Sequence, residues 1–104
     1  MKLTTESGIY RITNVVTKAV YIGKAGNIRV RISNHKSLLN KGKHPNRLLQ
    51  EAWDKHGEKS FRVRVLKKVA RDIERHEKEA LARYLDEGIQ VYNMQDLVPN
   101  IFCS

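Results

Sequence analysis

Gly8-Ile9-Tyr10-Arg11-Ile12-Thr13 and Ala19-Val20-Tyr21-Ile22-Gly23 decide the fold of this chain. Both stretches are rich in β-branched and aromatic residues, and the first alternates apolar with polar positions, so both read as strands. Only Asn14–Lys18 lies between them, which predicts an antiparallel hairpin. The link contains no Gly, so its turn is not of the tightest two-residue kind.

Downstream of the hairpin the apolar period changes to a helical one. Asn27 is a candidate N-cap, and Ile28, Ile32, His35 and Leu39 recur at helical spacing. Lys41-Gly42-Lys43-His44 is a basic loop, and Pro45 suits the first turn of a second helix. Leu48, Leu49, Ala52, Trp53 and His56 form that helix's apolar stripe, and Gly57 ends it. Phe61, Val63 and Val65 then alternate with Arg62 and Arg64, a strand with one apolar and one cationic face. A third helix spans about Asp72 to Glu87, with Gly88 as its stop and Ile73, Glu77, Ala80, Leu81, Tyr84 and Leu85 inward. The tail from Val91 to Ser104 reads as mostly irregular. The order β-β-α-α-β-α makes a small α/β (α+β) sandwich, one domain over residues 1–104.

Composition narrows the function. The chain has 104 residues, with 20 Lys+Arg against 11 Asp+Glu and a net charge of +9. Such an excess in one small domain is the electrostatic footprint of a nucleic-acid binder. The seven aromatic residues are not interleaved with the basic ones, which argues against single-strand binding by stacked bases. Cys103 is the one cysteine, so neither an intrachain disulfide nor a multi-cysteine zinc site can form. No apolar run reaches the roughly 18 residues of a membrane span, and Met1–Gly8 does not read as a signal peptide. The expected compartment is cytoplasmic, with no membrane partner.

Certain residues break the pattern. Glu77 falls on the apolar stripe of the third helix, where a carboxylate is costly unless paired or bound to a metal. Alone, it reads as a half-exposed Glu beside a neighbouring cation. Arg31, His35 and Leu38 lie along one flank of the first helix, so Arg31 borders the core while Arg29 faces water. Arg31 alone reads as a snorkelling side chain, and His35 as a packed histidine. Tyr10 and Tyr21, on adjacent strands, can approach one region of the sheet.

Gly8-Ile9-Tyr10 and Tyr21-Ile22-Gly23, in that order, resemble the signature of the GIY-YIG nuclease superfamily. The likeness continues through Arg31 and His35 on the first helix. It includes a second histidine, His44, as in the catalytic domain of phage intron-encoded homing endonucleases. Leu49-Gln50, Trp53 and His56-Gly57, then an aromatic-led strand at Phe61, a Glu on the last helix and Tyr92-Asn93 extend it over about residues 7–94. The resemblance implies a three-stranded antiparallel sheet flanked by three helices, and a metal-dependent DNA endonuclease that hydrolyses phosphodiester bonds with weak intrinsic sequence specificity.

The resemblance also implies site roles. Glu77 is the expected metal ligand. Spacing to Asn93 also admits Glu79, but only Glu77 shares the inner stripe. One ion per active site is expected, Mg²⁺ or Mn²⁺, since a lone carboxylate suits an ion that keeps its waters. Arg31 would fork onto the scissile phosphate and Tyr10 would position or deprotonate the attacking water. Tyr21 would orient water or phosphate, His35 would stand behind the site or touch the phosphate, His44 would lower the Tyr10 pKa or accept its proton, and Asn93 would hold the site together from the C-terminal segment. Lys24, Lys36, Lys41, Lys43 and Arg47 are expected to contact nucleic acid. Arg62, Arg64, Lys67 and Lys68 are further candidates for the backbone.

The expected partner is double-stranded DNA, in a bacterial or phage-infected cell. No sequence-reading module is evident, so a second copy or a further DNA-binding domain is expected to supply specificity. The alternative is a catalytically inactive nucleic-acid-binding module of the same fold.

Overall fold

A computed structural model of the chain describes residues 3–93. Its elements run β1 (Gly8–Asn14), β2 (Val20–Ala25), α1 (Ile28–Asn40), α2 (Arg47–His56), β3 (Phe61–Lys68) and α3 (Ile73–Asp86). The sheet order is β2-β1-β3 with both pairings antiparallel, so β1 is central and the chain order is the expected β-β-α-α-β-α.

The hairpin turn is built without glycine. Asn14 is fully buried, and its Oδ1 accepts the Val16 N–H at 3.0 Å. Its Nδ2 donates to Tyr92 Oη at 3.2 Å. Lys18 takes the left-handed φ of 71° that closes the loop. An Asx turn thus replaces the glycine turn.

Each strand face has its own apolar cluster. Tyr10, Ile12, Leu39, Leu49, Phe61 and Tyr92 form one, under α1 and α2. Ile9, Val20, Ile22, Val69 and Val91 form the other, covered by Ile73, Ala80, Leu81 and Tyr84. Alternation along β1 sends Ile9 and Tyr10 to opposite sides.

Local chemistry sets the helix ends, with small departures from expectation. Asn27 caps α1 by accepting the Val30 N–H. Pro45 does not begin α2. Asn46 caps that helix by accepting the Leu49 N–H, so Pro45 precedes the cap. Leu85 is exposed rather than inward. Steps of four residues drift about 40° each around a helix, so Leu85, three such steps from Ile73, has rotated off the buried side. Tyr84, eleven residues from Ile73, has drifted by only about 20°.

The segment after α3 closes the free edge of β2. Val20 and Val91 form a parallel bridge, and the Tyr92 N–H donates to Val20 O at 2.7 Å. Cys103 and the rest of the tail beyond Asn93 lie outside the described residues.

Candidate active site

Two glycines let β1 pack as it does. A Cβ on Gly8 would stand 2.2 Å from the Lys67 carbonyl oxygen, where the β1–β3 register shifts between Ile9 and Tyr10. A Cβ on Gly23 would stand 2.3 Å from the Tyr10 hydroxyl. Gly23 is the direct cross-strand partner of Tyr10, and Tyr21 is that of Ile12. Tyr10 therefore lies across bare backbone, on the same sheet face as Tyr21.

At the β2 edge a cleft of about 410 Å³ opens between α1 and α3. Tyr10, Tyr21, Lys24, Arg31 and Glu77 line it. The last two come from helices on opposite faces of the sheet. Glu77 is half-buried, one turn beyond Ile73, which also lines the cleft. Glu79 is exposed and lines a different hollow, 3.7 Å from His76.

His35 and His44 stand behind Tyr10 rather than in the cleft, 4% and 8% exposed. They border an adjoining hollow of about 130 Å³ that shares Tyr21 and Arg31 with the cleft. Tyr10 Oη is 2.5 Å from His35 Nε2, and His35 Nδ1 is 2.7 Å from His44 Nε2. The Asn46 backbone N–H donates to His44 Nδ1 at 3.0 Å.

That last bond sets the direction of the whole chain. An Nδ1 that accepts carries no proton, so His44 bears its proton on Nε2 and donates to His35 Nδ1. His35 then bears its proton on Nε2 and donates to Tyr10 Oη. The Tyr10 hydroxyl proton is left to point elsewhere. Burial, then the nearby His44 and Arg31, lowers the His35 pKa from 6.5 to about 4, which keeps the ring neutral. Burial and the adjacent Tyr21 raise the Tyr10 pKa above the ordinary tyrosine value, while the Arg31 guanidinium opposes the rise.

Asn93 lies beside the edge of β2, outside the cleft. Its Oδ1 accepts the Ile22 N–H at 2.9 Å and its Nδ2 donates to Ile22 O at 2.8 Å. The amide thus mimics a neighbouring strand between Tyr21 and Gly23. Two residues with no role assigned from sequence matter here. Gln50 Oε1 accepts the His44 N–H at 3.0 Å, and Asn46 Nδ2 donates to Tyr92 O at 3.1 Å. Both are buried polar residues. The signal for Gln50 in the sequence is its place in the Leu49-Gln50 stretch of the family likeness, which gives it no role.

The basic residues divide. Lys24 lines the cleft and pairs with Glu74 at 3.2 Å. Lys36 borders a separate hollow beside Trp53 and pairs with Glu58 at 2.7 Å. Lys41, Lys43 and Arg47 are exposed around the α1–α2 loop.

The sequence matches the GIY-YIG catalytic domain over residues 6–85. The chain belongs to the GIY-YIG family. This GIY-YIG domain is 31% identical over 101 residues to intron-associated endonuclease 1 of Enterobacteria phage T4. The match takes in 95% of the chain and 41% of that relative, so the chain spans about two fifths of the relative's length. The structure resembles the catalytic domain of homing endonuclease I-TevI, with a TM-score of 0.71 and 30% identity over 75% of this chain and 87% of that one. A mutant of the catalytic domain of intron endonuclease I-TevI gives the same TM-score and identity, over 75% and 82%. The three-stranded antiparallel sheet and its helices are thus the fold of this GIY-YIG domain. No helix among the described residues is long and apolar enough to cross a membrane.

The donor set limits which metal the cleft suits. Among the described residues no group of three or more His, Cys, Asp or Glu side chains converges as a metal cage. Among those residues Glu77 is the one carboxylate lining the cleft. A single carboxylate beside open space fits a hard ion that keeps most of its water.

Proposed function

We propose that this domain is a DNA endonuclease that hydrolyses phosphodiester bonds with one divalent ion, Mg²⁺ or Mn²⁺, held at Glu77. The observation that carries the reading is the convergence of Tyr10, Tyr21, Arg31 and Glu77 on one cleft. A net charge of +9 suits a polyanionic substrate, and duplex DNA is the form proposed.

When bound, the ion would neutralise charge on the phosphate and on the departing oxygen. Arg31 is exposed at the cleft wall and able to swing onto the phosphate, where its planar fork matches two phosphate oxygens. Tyr10, on the cleft wall, is the group that would meet the attacking water. Because His35 donates to its oxygen, the Tyr10 proton is free to point into the cleft, and a phenolate formed there keeps the His35 hydrogen bond. Arg31 adds a positive charge that favours the same phenolate. Neutral His35 already holds a proton on the nitrogen that faces Tyr10, so it acts as a donor and does not take the phenol's proton. Tyr21, on the same wall, would orient water or phosphate by hydrogen bonding.

One copy offers one cleft and so cuts one strand at a time. Double-strand cleavage would then require a second copy, reorientation or successive nicks. The test is cleavage of supercoiled plasmid with Mg²⁺, with EDTA and with Glu77→Ala. Cleavage that needs both the ion and Glu77 supports the reading. Binding without cleavage under every metal condition would favour an inactive binding module.

A further inference from the structure

The face of the sheet under α3 carries arginines that the cleft does not use. In the β1–β3 register Arg64 stands opposite Arg11, and Arg62 opposite Thr13. Residues directly opposite share a face. Arg11 Nη1 donates to Tyr84 of α3 at 3.0 Å, which identifies that face. α3 packs against β2 and β1 and covers Ile9, Val20 and Ile22 there. Arg11, Arg62 and Arg64 form the cationic strip beyond it.

The strip has two features that edge protection does not explain. Charged side chains on an edge strand deter pairing with other chains, and that would account for Arg62 and Arg64 on β3. Arg11 is on the central strand, half-buried, directly opposite a like charge. Its Nε and the Thr13 Oγ1 are buried without a hydrogen-bond partner. Like charges opposite one another and unmet buried donors both destabilise a fold. An anion bearing several acceptor oxygens, held by the Arg11 and Arg64 guanidinium groups, would offset the like charge. No acidic side chain pairs with Arg11, Arg62 or Arg64 among the described residues. Among the described residues, none of those lining the groove of about 510 Å³ that these arginines border is acidic. Lys68 also borders it, but is paired with Glu6 at 3.0 Å.

We propose that this strip holds DNA phosphate backbone outside the length that enters the cleft. The cleft opens at the β2 edge and the strip lies toward the β3 edge, with α3 across the face between them. Guanidinium groups suit phosphate by charge and by their fork. The contact adds affinity and reads no sequence. The identity of the polyanion rests on the nuclease reading; the strip's affinity for anions does not.

The test is fluorescence anisotropy of the full chain with a labelled duplex of arbitrary sequence in EDTA, from 50 to 200 mM salt. Removing one cation that neutralises a phosphate lowers the salt slope by about 0.9, so Arg62→Gln/Arg64→Gln should lower it by about 2. The advantage of the wild type over that variant should then shrink about tenfold across this salt range. Arg62→Lys/Arg64→Lys, which keeps the charge, should retain the wild-type slope, and this separates a charge effect from a folding defect. Adding Arg31→Gln to the glutamine pair should lower the slope further, as expected for two independent phosphate sites. A glutamine pair with the wild-type slope overturns the strip and leaves the nuclease reading standing. A wild type with no salt-dependent binding overturns both.

Discussion

The Tyr10 phenol lies directly over Gly23, so closely that a Cβ at residue 23 would come within 2.3 Å of its oxygen. The glycine that ends the second tripeptide therefore serves the tyrosine that ends the first. Gly23→Ala should push Tyr10 off its bond to His35. Overpacking of this kind costs about 1–3 kcal/mol, so the melting temperature should fall by several degrees. Plasmid cleavage should fall more steeply than stability, because the displaced group is the one proposed to meet the reacting water. Thermal melts beside cleavage rates check this.

Arg31→Lys keeps the charge and loses the fork. A charged hydrogen bond is worth about 1.5–3 kcal/mol, so the cleavage rate should fall about 10- to 100-fold. Duplex affinity should change by less than the rate, since a charge still faces the phosphate. Single-turnover kinetics at saturating DNA separate the two. Equal loss of affinity and rate would mean that Arg31 only binds.

The His35 pKa of about 4 lies below its unfolded value of 6.5. The unfolded chain therefore binds the proton first as pH falls. This contribution to stability is complete above pH 6.5 and is lost progressively between there and about pH 4. The loss across that window is about 2–3 kcal/mol. Urea midpoints between pH 7 and pH 4.5 should fall accordingly, and His35→Asn should flatten the dependence.

Asn93→Ala removes both partners of the Ile22 backbone groups. Each unmet buried group costs about 1–3 kcal/mol, so the variant should be among the less stable ones. Asn93→Asp can still accept from the Ile22 N–H but cannot donate to its carbonyl, and should fall between the two. Urea denaturation ranks the three. If Asn93→Ala kept full stability but lost cleavage, the residue would act on the reaction directly.

The helix-period argument for Glu77 over Glu79 separates the two as the fold does. They point about 200° apart on α3, and only one side of that helix meets the cleft. The same reasoning overreached for Leu85, because a four-residue stripe drifts with length while Tyr84 stays in line. For the histidines, periodicity placed His35 inward but said nothing about its neighbours.

The sequence alone determined the element order, the hairpin, the Asn27 cap of α1 and most of the inward side of α3. These are local properties: side-chain period, cap chemistry and charge act within a few residues. Only the tertiary structure decided what meets across distance. It set Arg31 of α1 and Glu77 of α3 on one cleft from opposite faces of the sheet. It also set the direction of the hydrogen bonds from Asn46 through His44 and His35 to Tyr10. That direction depends on a single backbone N–H, a group every residue but proline carries, so no side-chain pattern reveals it. That bond is local, two residues apart, but the links it orients join His35 to His44 across nine residues and to Tyr10 across 25, and only the packed fold brings those together.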